Sequence, residues 1–243
     1  MSSQARPAFY ALAPGGWRDY VTLLHLPYTL WHLSYIVIGA ALAPRFPVGR
    51  VSLAVLAFFL GLGVAAHALD ELVGRPLQTR IPARTLAVLG VVSLAAAVAL
   101  GVGVAIAWNL WLLPFVIFGG FIACAYNLEL FGGRFHNWLW FVLAWGSFPL
   151  LVGYFTAAGT ITAEALLAAL FAALLSTVQQ ILSTTVRHVR RRVATVSGTL
   201  ELRDGTREPI DAATLMRAPD LALRVLSAAT VTLAAALAVM RLA

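Results

Sequence analysis

The sequence predicts an all-α fold, a polytopic transmembrane helical bundle of about seven spans. Three observations carry that prediction. Of 243 residues, 61% are hydrophobic, only 11% are charged, and apolar runs of spanning length recur along the chain. A soluble domain carries about a quarter charged residues, and a span needs roughly 20 apolar residues.

The candidate spans run 21–43, 51–69, 85–107, 109–127, 138–157, 163–183 and 221–241. The first has no basic leader, compact apolar core or small-residue cleavage site, so it reads as retained. Its His25 and His32 lie seven residues apart on one face and read as packed histidines. The second runs into a polar stretch, His67 to Pro82. The third and fourth are parted only by Trp108-Asn109, and Trp138 and Trp140 open the fifth. Gln179 and Gln180 in the sixth read as helix–helix glue.

Residues 184–220 form a polar insertion within what reads as one domain over 1–243. Asp204-Gly205 between alternating segments signals a β-hairpin. The insertion reads as a surface flap or as a lid over a cavity. Asp211 suits the cap of a short helix through Met216, and Pro219 suits the first turn of the last span.

All 17 basic residues are arginine. With seven spans and the N-terminus inside, fourteen arginines fall inside. Arg45, Arg50 and Arg241 fall outside. The positive-inside rule thus predicts that the N-terminus lies inside, and with no targeting signal read the expected site is the cytoplasmic membrane. Net charge +7 then reflects arginines near anionic lipid, not a nucleic-acid-binding face. The single cysteine, Cys124, excludes an intramolecular disulfide and a cysteine-rich metal site.

Three polar clusters follow the second, fourth and sixth spans, at one membrane face. In the first, His67, Asp70 and Glu71 stand at i, i+3 and i+4, on one face of a continued helix. Two carboxylates suit Mg2+ completed by water and phosphate oxygens, and a histidine better suits a transition metal. The same acids equally suit interfacial capping, or pairing with Arg75 or Arg80. Gly74-Arg75-Pro76 breaks the helix. Arg75, Arg80 and Arg84 then suit phosphate, or lipid headgroups. The second cluster holds Tyr126, Glu129, Arg134, His136 and Asn137. The third holds Arg187, His188, Arg190, Arg191 and Arg192.

This order of clusters resembles the UbiA-type intramembrane prenyltransferases. Those carry an Asn/Asp-rich motif continuing into Arg-Pro-Leu after the second helix. A tyrosine–basic motif follows the fourth and a second Asp-rich motif follows the sixth. Arg75-Pro76-Leu77 matches the first motif's second half. Tyr126, Arg134 and Asn137 occupy the second place, and Gly146 to Tyr154 resembles the fifth helix. The likeness spans about 17–183 and 219–240. The chain departs from it in three ways. Only Asp70 and Glu71 remain of the first carboxylate cluster, arginines replace the second, and seven spans stand for nine.

The resemblance implies an intramembrane enzyme acting on a prenyl diphosphate, by transfer to a lipophilic acceptor or by cyclisation. It implies Asp70 and Glu71 as Mg2+ ligands and catalytic residues beside His67. Arg75, Arg80, Arg134, Arg187 and Arg190 would hold phosphate, with Tyr126 and Asn137 positioning substrate. The alternative is a repurposed UbiA-like protein that binds an isoprenoid lipid or assists a partner enzyme. A transporter fits less well, because the spans carry few polar residues near mid-bilayer.

Overall fold

The computed structural model describes residues 7–243. Helices α1 (Trp17–Leu23) and α2 (Leu26–Leu42) form a pair bent by 42°. They are followed by α3 (Val48–Leu72), α4 (Ala83–Ala107), α5 (Leu110–Asn127), α6 (Trp138–Ala158) and α7 (Ala163–Arg192). Antiparallel strands β1 (Gly198–Glu201) and β2 (Arg207–Ile210) lead into α8 (Ala212–Leu242). Six helices, α3 to α8, are long and apolar enough to cross a membrane, and the bent pair makes seven if it counts as one span. The chain is thus a helical membrane protein.

Local chemistry sets the helix starts. The Asn109 side chain accepts from Trp111 N at 3.0 Å, opening α5, and Asn137 accepts from Trp140 N at 3.1 Å, opening α6. Each satisfies one amide that helical geometry leaves orphaned. Asp211 opens α8 with a reciprocal capping box to Thr214.

At the centre lies α2, with Trp31, Tyr35, Ile36 and Ala40 all fully buried. It packs mainly on α6 and α8. Glycines bring α2 and α6 into backbone contact: a Cβ on Gly39 would overlap Leu150 O, and one on Gly153 would overlap Ile36 O. Small residues allow such approach, which lets dispersion replace a hydrophobic drive that lipid does not supply. Trp31 Nε1 donates to Tyr35 Oη at 2.6 Å, and Tyr35 Oη lies 3.2 Å from Ser176 Oγ on α7.

Two helices run longer than the hydropathy predicts. The sixth expected span, 163–183, continues as α7 to Arg192, so Arg187, His188 and Arg190 to Arg192 are helical. The last begins at Ala212, not 221, and Pro219 lies inside α8 rather than in its first turn. Hydropathy ends where the membrane ends, but a helix continues while its backbone bonds are made. Pro219 interrupts only the bond to the carbonyl four residues earlier. The non-helical insertion therefore shrinks to 193–211, and its strands are almost wholly exposed.

Candidate functional site

Wide helical turns interrupt α3 at Phe59–Ala66 and α6 at Val142–Ser147. Such turns displace the carbonyl ladder and often mark functional sites. Here His67 Nδ1 lies 3.0 Å from Gly63 O, and His32 Nδ1 lies 2.8 Å from Trp145 O. A third histidine, His136, places Nδ1 2.9 Å from Tyr126 O. A carbonyl can only accept, so each Nδ1 carries a proton and donates it.

These histidines line one cavity of about 710 Å³ at the end of the bundle where α3 and α5 finish. The three clusters expected from sequence meet there. Asp70 and Arg75 come from the first, Tyr126 and His136 from the second, and Arg187, Arg190 and Arg191 from the third. Tyr126 stacks on His136 and contacts Trp145, each at 4.5 Å between ring centroids. Phe141 lies parallel to Trp145 at 6.0 Å. The lining thus combines aromatic rings with arginine side chains.

Asp70 and Glu71 stand in different surroundings. Asp70 lines the cavity, whereas Glu71 is fully buried beneath the following loop. Its carboxylate accepts from Leu77 N at 2.9 Å, Thr79 N at 2.8 Å and Thr79 Oγ1 at 2.9 Å. The loop turns back under α3 and needs an acceptor for its amides, which the residue one step beyond Asp70 provides. Arg75 also serves the loop. It adopts a left-handed φ of 51° and donates to Thr79 O and Ile81 O at 3.1 and 2.6 Å, while still lining the cavity.

Three expected phosphate or substrate residues stand elsewhere. Arg80 and Arg134 are exposed and off the cavity wall. The Arg80 amide donates to the buried Asp19 at 2.8 Å, tying the loop to α1. Asn137 is spent as the α6 cap and donates to Arg134 O. Arg187 is half-buried at the cavity, and Arg190 there pairs with Asp220 of α8. Among the described residues no three His, Cys, Asp or Glu side chains are grouped to hold a metal ion.

Sequence reasoning missed the cover. Residues Pro7 to Tyr10 line the cavity, and Leu12 N donates to Thr22 Oγ1 at 3.0 Å. Tyr10 meets Tyr28 edge-on at 5.5 Å and His25 at 5.2 Å, and Arg224 of α8 sits 4.8 Å over Phe9. Burial pushes the Tyr10 phenol up from its ordinary value. His25 stands at the α1–α2 bend with a left-handed φ of 46°, its ring 4.0 Å from that of His67. The only available signal was the aromatic pair Phe9-Tyr10 ahead of an apolar span. His25 Nε2, Gln179 Oε1, Gln180 Oε1 and Asp220 Oδ1 are buried without a hydrogen-bond partner among the described residues, and all four residues line the cavity. The glutamines thus stand at the cavity instead of only joining helices.

No family model, curated protein or solved structure matches this chain.

Proposed function

We propose that this chain is an intramembrane enzyme of UbiA-like type that ionises a prenyl diphosphate in the polar cavity. The N-terminal end would face the cytoplasm. One observation carries the reading: three clusters distant in sequence line a single cavity with both arginines and aromatic rings in its lining. Ionisation needs both. The leaving diphosphate requires fixed positive charge, and the allylic cation requires aromatic faces and exclusion of water.

Arg187, Arg190 and Arg191 are placed for the diphosphate, with Arg75 at the cavity edge. Tyr126, Phe141 and Trp145 are placed for the cation. Asp70 suits one Mg2+ completed by substrate oxygens and water, a donor set magnesium accepts. When bound, that ion would neutralise phosphate charge. Glu71 belongs to the loop and Arg134, Arg80 and Asn137 to the surface, so these four leave the proposed site. Prenyl transfer and cyclisation both begin with this ionisation.

Incubation of the purified protein with labelled farnesyl and geranylgeranyl diphosphates tests the reading. Magnesium-dependent diphosphate release should fall about a hundredfold in Asp70→Asn and in Arg187→Gln. The second reading, a repurposed isoprenoid-binding protein, is favoured by one observation: a single carboxylate, Asp70, remains of the expected pair at the cavity. It predicts saturable lipid binding without release, indifferent to magnesium.

A further inference from the structure

A second cavity lies between α3, α4, α5 and α6. It is a half-open slot of about 120 Å³, walled by small apolar residues such as Ala54, Ala57, Gly61 and Ala97. Trp145 and Ala66 stand at its inner end, and Trp145 also borders the polar cavity. From Ala66 the slot follows α3 back to Arg50, roughly 24 Å at the helical rise. That is the length of an extended acyl chain of common size. Small side chains leave the space unfilled where larger ones would have closed the helices together.

Polar groups are rare along the slot, and two of them are unmatched. Arg50 and Thr156 both line it, and Arg50 Nε and Thr156 Oγ1 are buried with no hydrogen-bond partner among the described residues. The Arg50 guanidinium lies 4.0 Å over the Trp108 ring. Stacking occupies a face of the guanidinium and leaves its N–H edge, the planar fork that fits a carboxylate or phosphate. Among the described residues the ion pairs are Arg190–Asp220 and Arg207–Glu201, so no carboxylate of the chain takes that edge. A half-buried permanent cation and a fully buried hydroxyl lining one apolar slot select an anion carried on hydrocarbon.

We infer that the slot binds a single-chain anionic lipid, with its head on Arg50 and Thr156 and its chain running toward Trp145. Its head-group end is separate from the proposed prenyl diphosphate site, and the two cavities share Trp145 alone of the residues assigned to that site. A prenyl diphosphate bound to Arg187 ends in hydrocarbon, which offers Arg50 nothing to hold. The anion's source is either a free fatty acid or a lysophospholipid, and the two share the chemistry the slot reads.

Binding of labelled palmitate, 1-palmitoyl lysophosphatidate and hexadecanol to the purified full chain in detergent tests this. At least one anionic probe should bind about tenfold tighter than hexadecanol, and Arg50→Gln should abolish that difference. Arg50→Lys, which keeps charge but loses the fork, should recover only part of it. Ala57→Phe should block the slot and weaken all three probes, while farnesyl diphosphate binding at the polar cavity is unchanged. Tighter palmitate identifies a fatty acid and tighter lysophosphatidate a phospholipid product. Equal binding of all three probes to the native chain overturns the inference. So does undiminished anion preference in Arg50→Gln with a native melting temperature. Neither result depends on diphosphate release, so the two sites stand or fall separately.

Discussion

Glu71 and Asp70 show how one residue of register separates two jobs. Adjacent helical positions differ by about 100° in direction. Asp70 reaches the cavity and Glu71 points beneath the loop, where three donors converge on it. Glu71→Ala leaves two buried amides without an acceptor. It should lower stability by about 3 kcal/mol, read as a drop in melting temperature in detergent. Asp70→Asn should leave the melting temperature near native, because the Asp70 side chain makes no hydrogen bond within the chain's described residues. Equal destabilisation by both would refute this division. From sequence the pair looked like one metal-binding unit, since i+3 and i+4 share a helical face. The loop that claims Glu71 has no signature before the chain folds back.

Helix ends carry the polar chemistry of this bundle. The α8 cap is the clearest case. The Asp211 carboxyl is held below its ordinary value by the Thr214 amide first and the Thr214 hydroxyl second. A depressed carboxylate stabilises at pH above its unfolded value and loses that contribution as pH falls through the folded one. Amide exchange in the first turn of α8 should therefore quicken as the pH is lowered through the acidic range. Asp211→Ala should show that faster exchange already at neutral pH, with α2 unaffected. A pH-independent first turn would count against the cap. The same element shows the limit of hydropathy. The apolar stretch begins near residue 221, yet the cap signal at Asp211 marks the true start, and only Pro219 argued for a break between them.

Across the whole molecule, α2 is the buried helix on which α6 and α8 pack. Its contact with α6 rests on Gly39 and Gly153, where backbone meets backbone. Gly153→Val forces these helices apart and should cost about 3 kcal/mol or more, seen as aggregation or early thermal unfolding in detergent. Because α6 also carries Trp145, Phe141 and the wide turn facing His32, the same change should disturb the cavity. Gly103→Ala is the control, as its Cβ would meet nothing within 4 Å. Similar losses in both variants would remove the special role of the α2–α6 contact.

Composition and hydropathy alone determined that the chain is a helical membrane bundle, and roughly where its spans lie. Those properties are local sums over about twenty residues, and lipid enforces them whatever the tertiary arrangement. The sequence order of the clusters around Asp70, Tyr126 and Arg187 also pointed to one end of the bundle, because alternate spans return the chain to the same face. Which members of each cluster meet was decided only by tertiary structure. Arg134, Arg80 and Asn137 carry the right chemistry but point to the surface or cap a helix. His25 and Tyr10 reach the cavity through a bend and a folded-back segment, and Gln179 through the rotation of α7. Side-chain direction depends on helix rotation and loop path, and these are set by packing contacts between residues far apart in the chain.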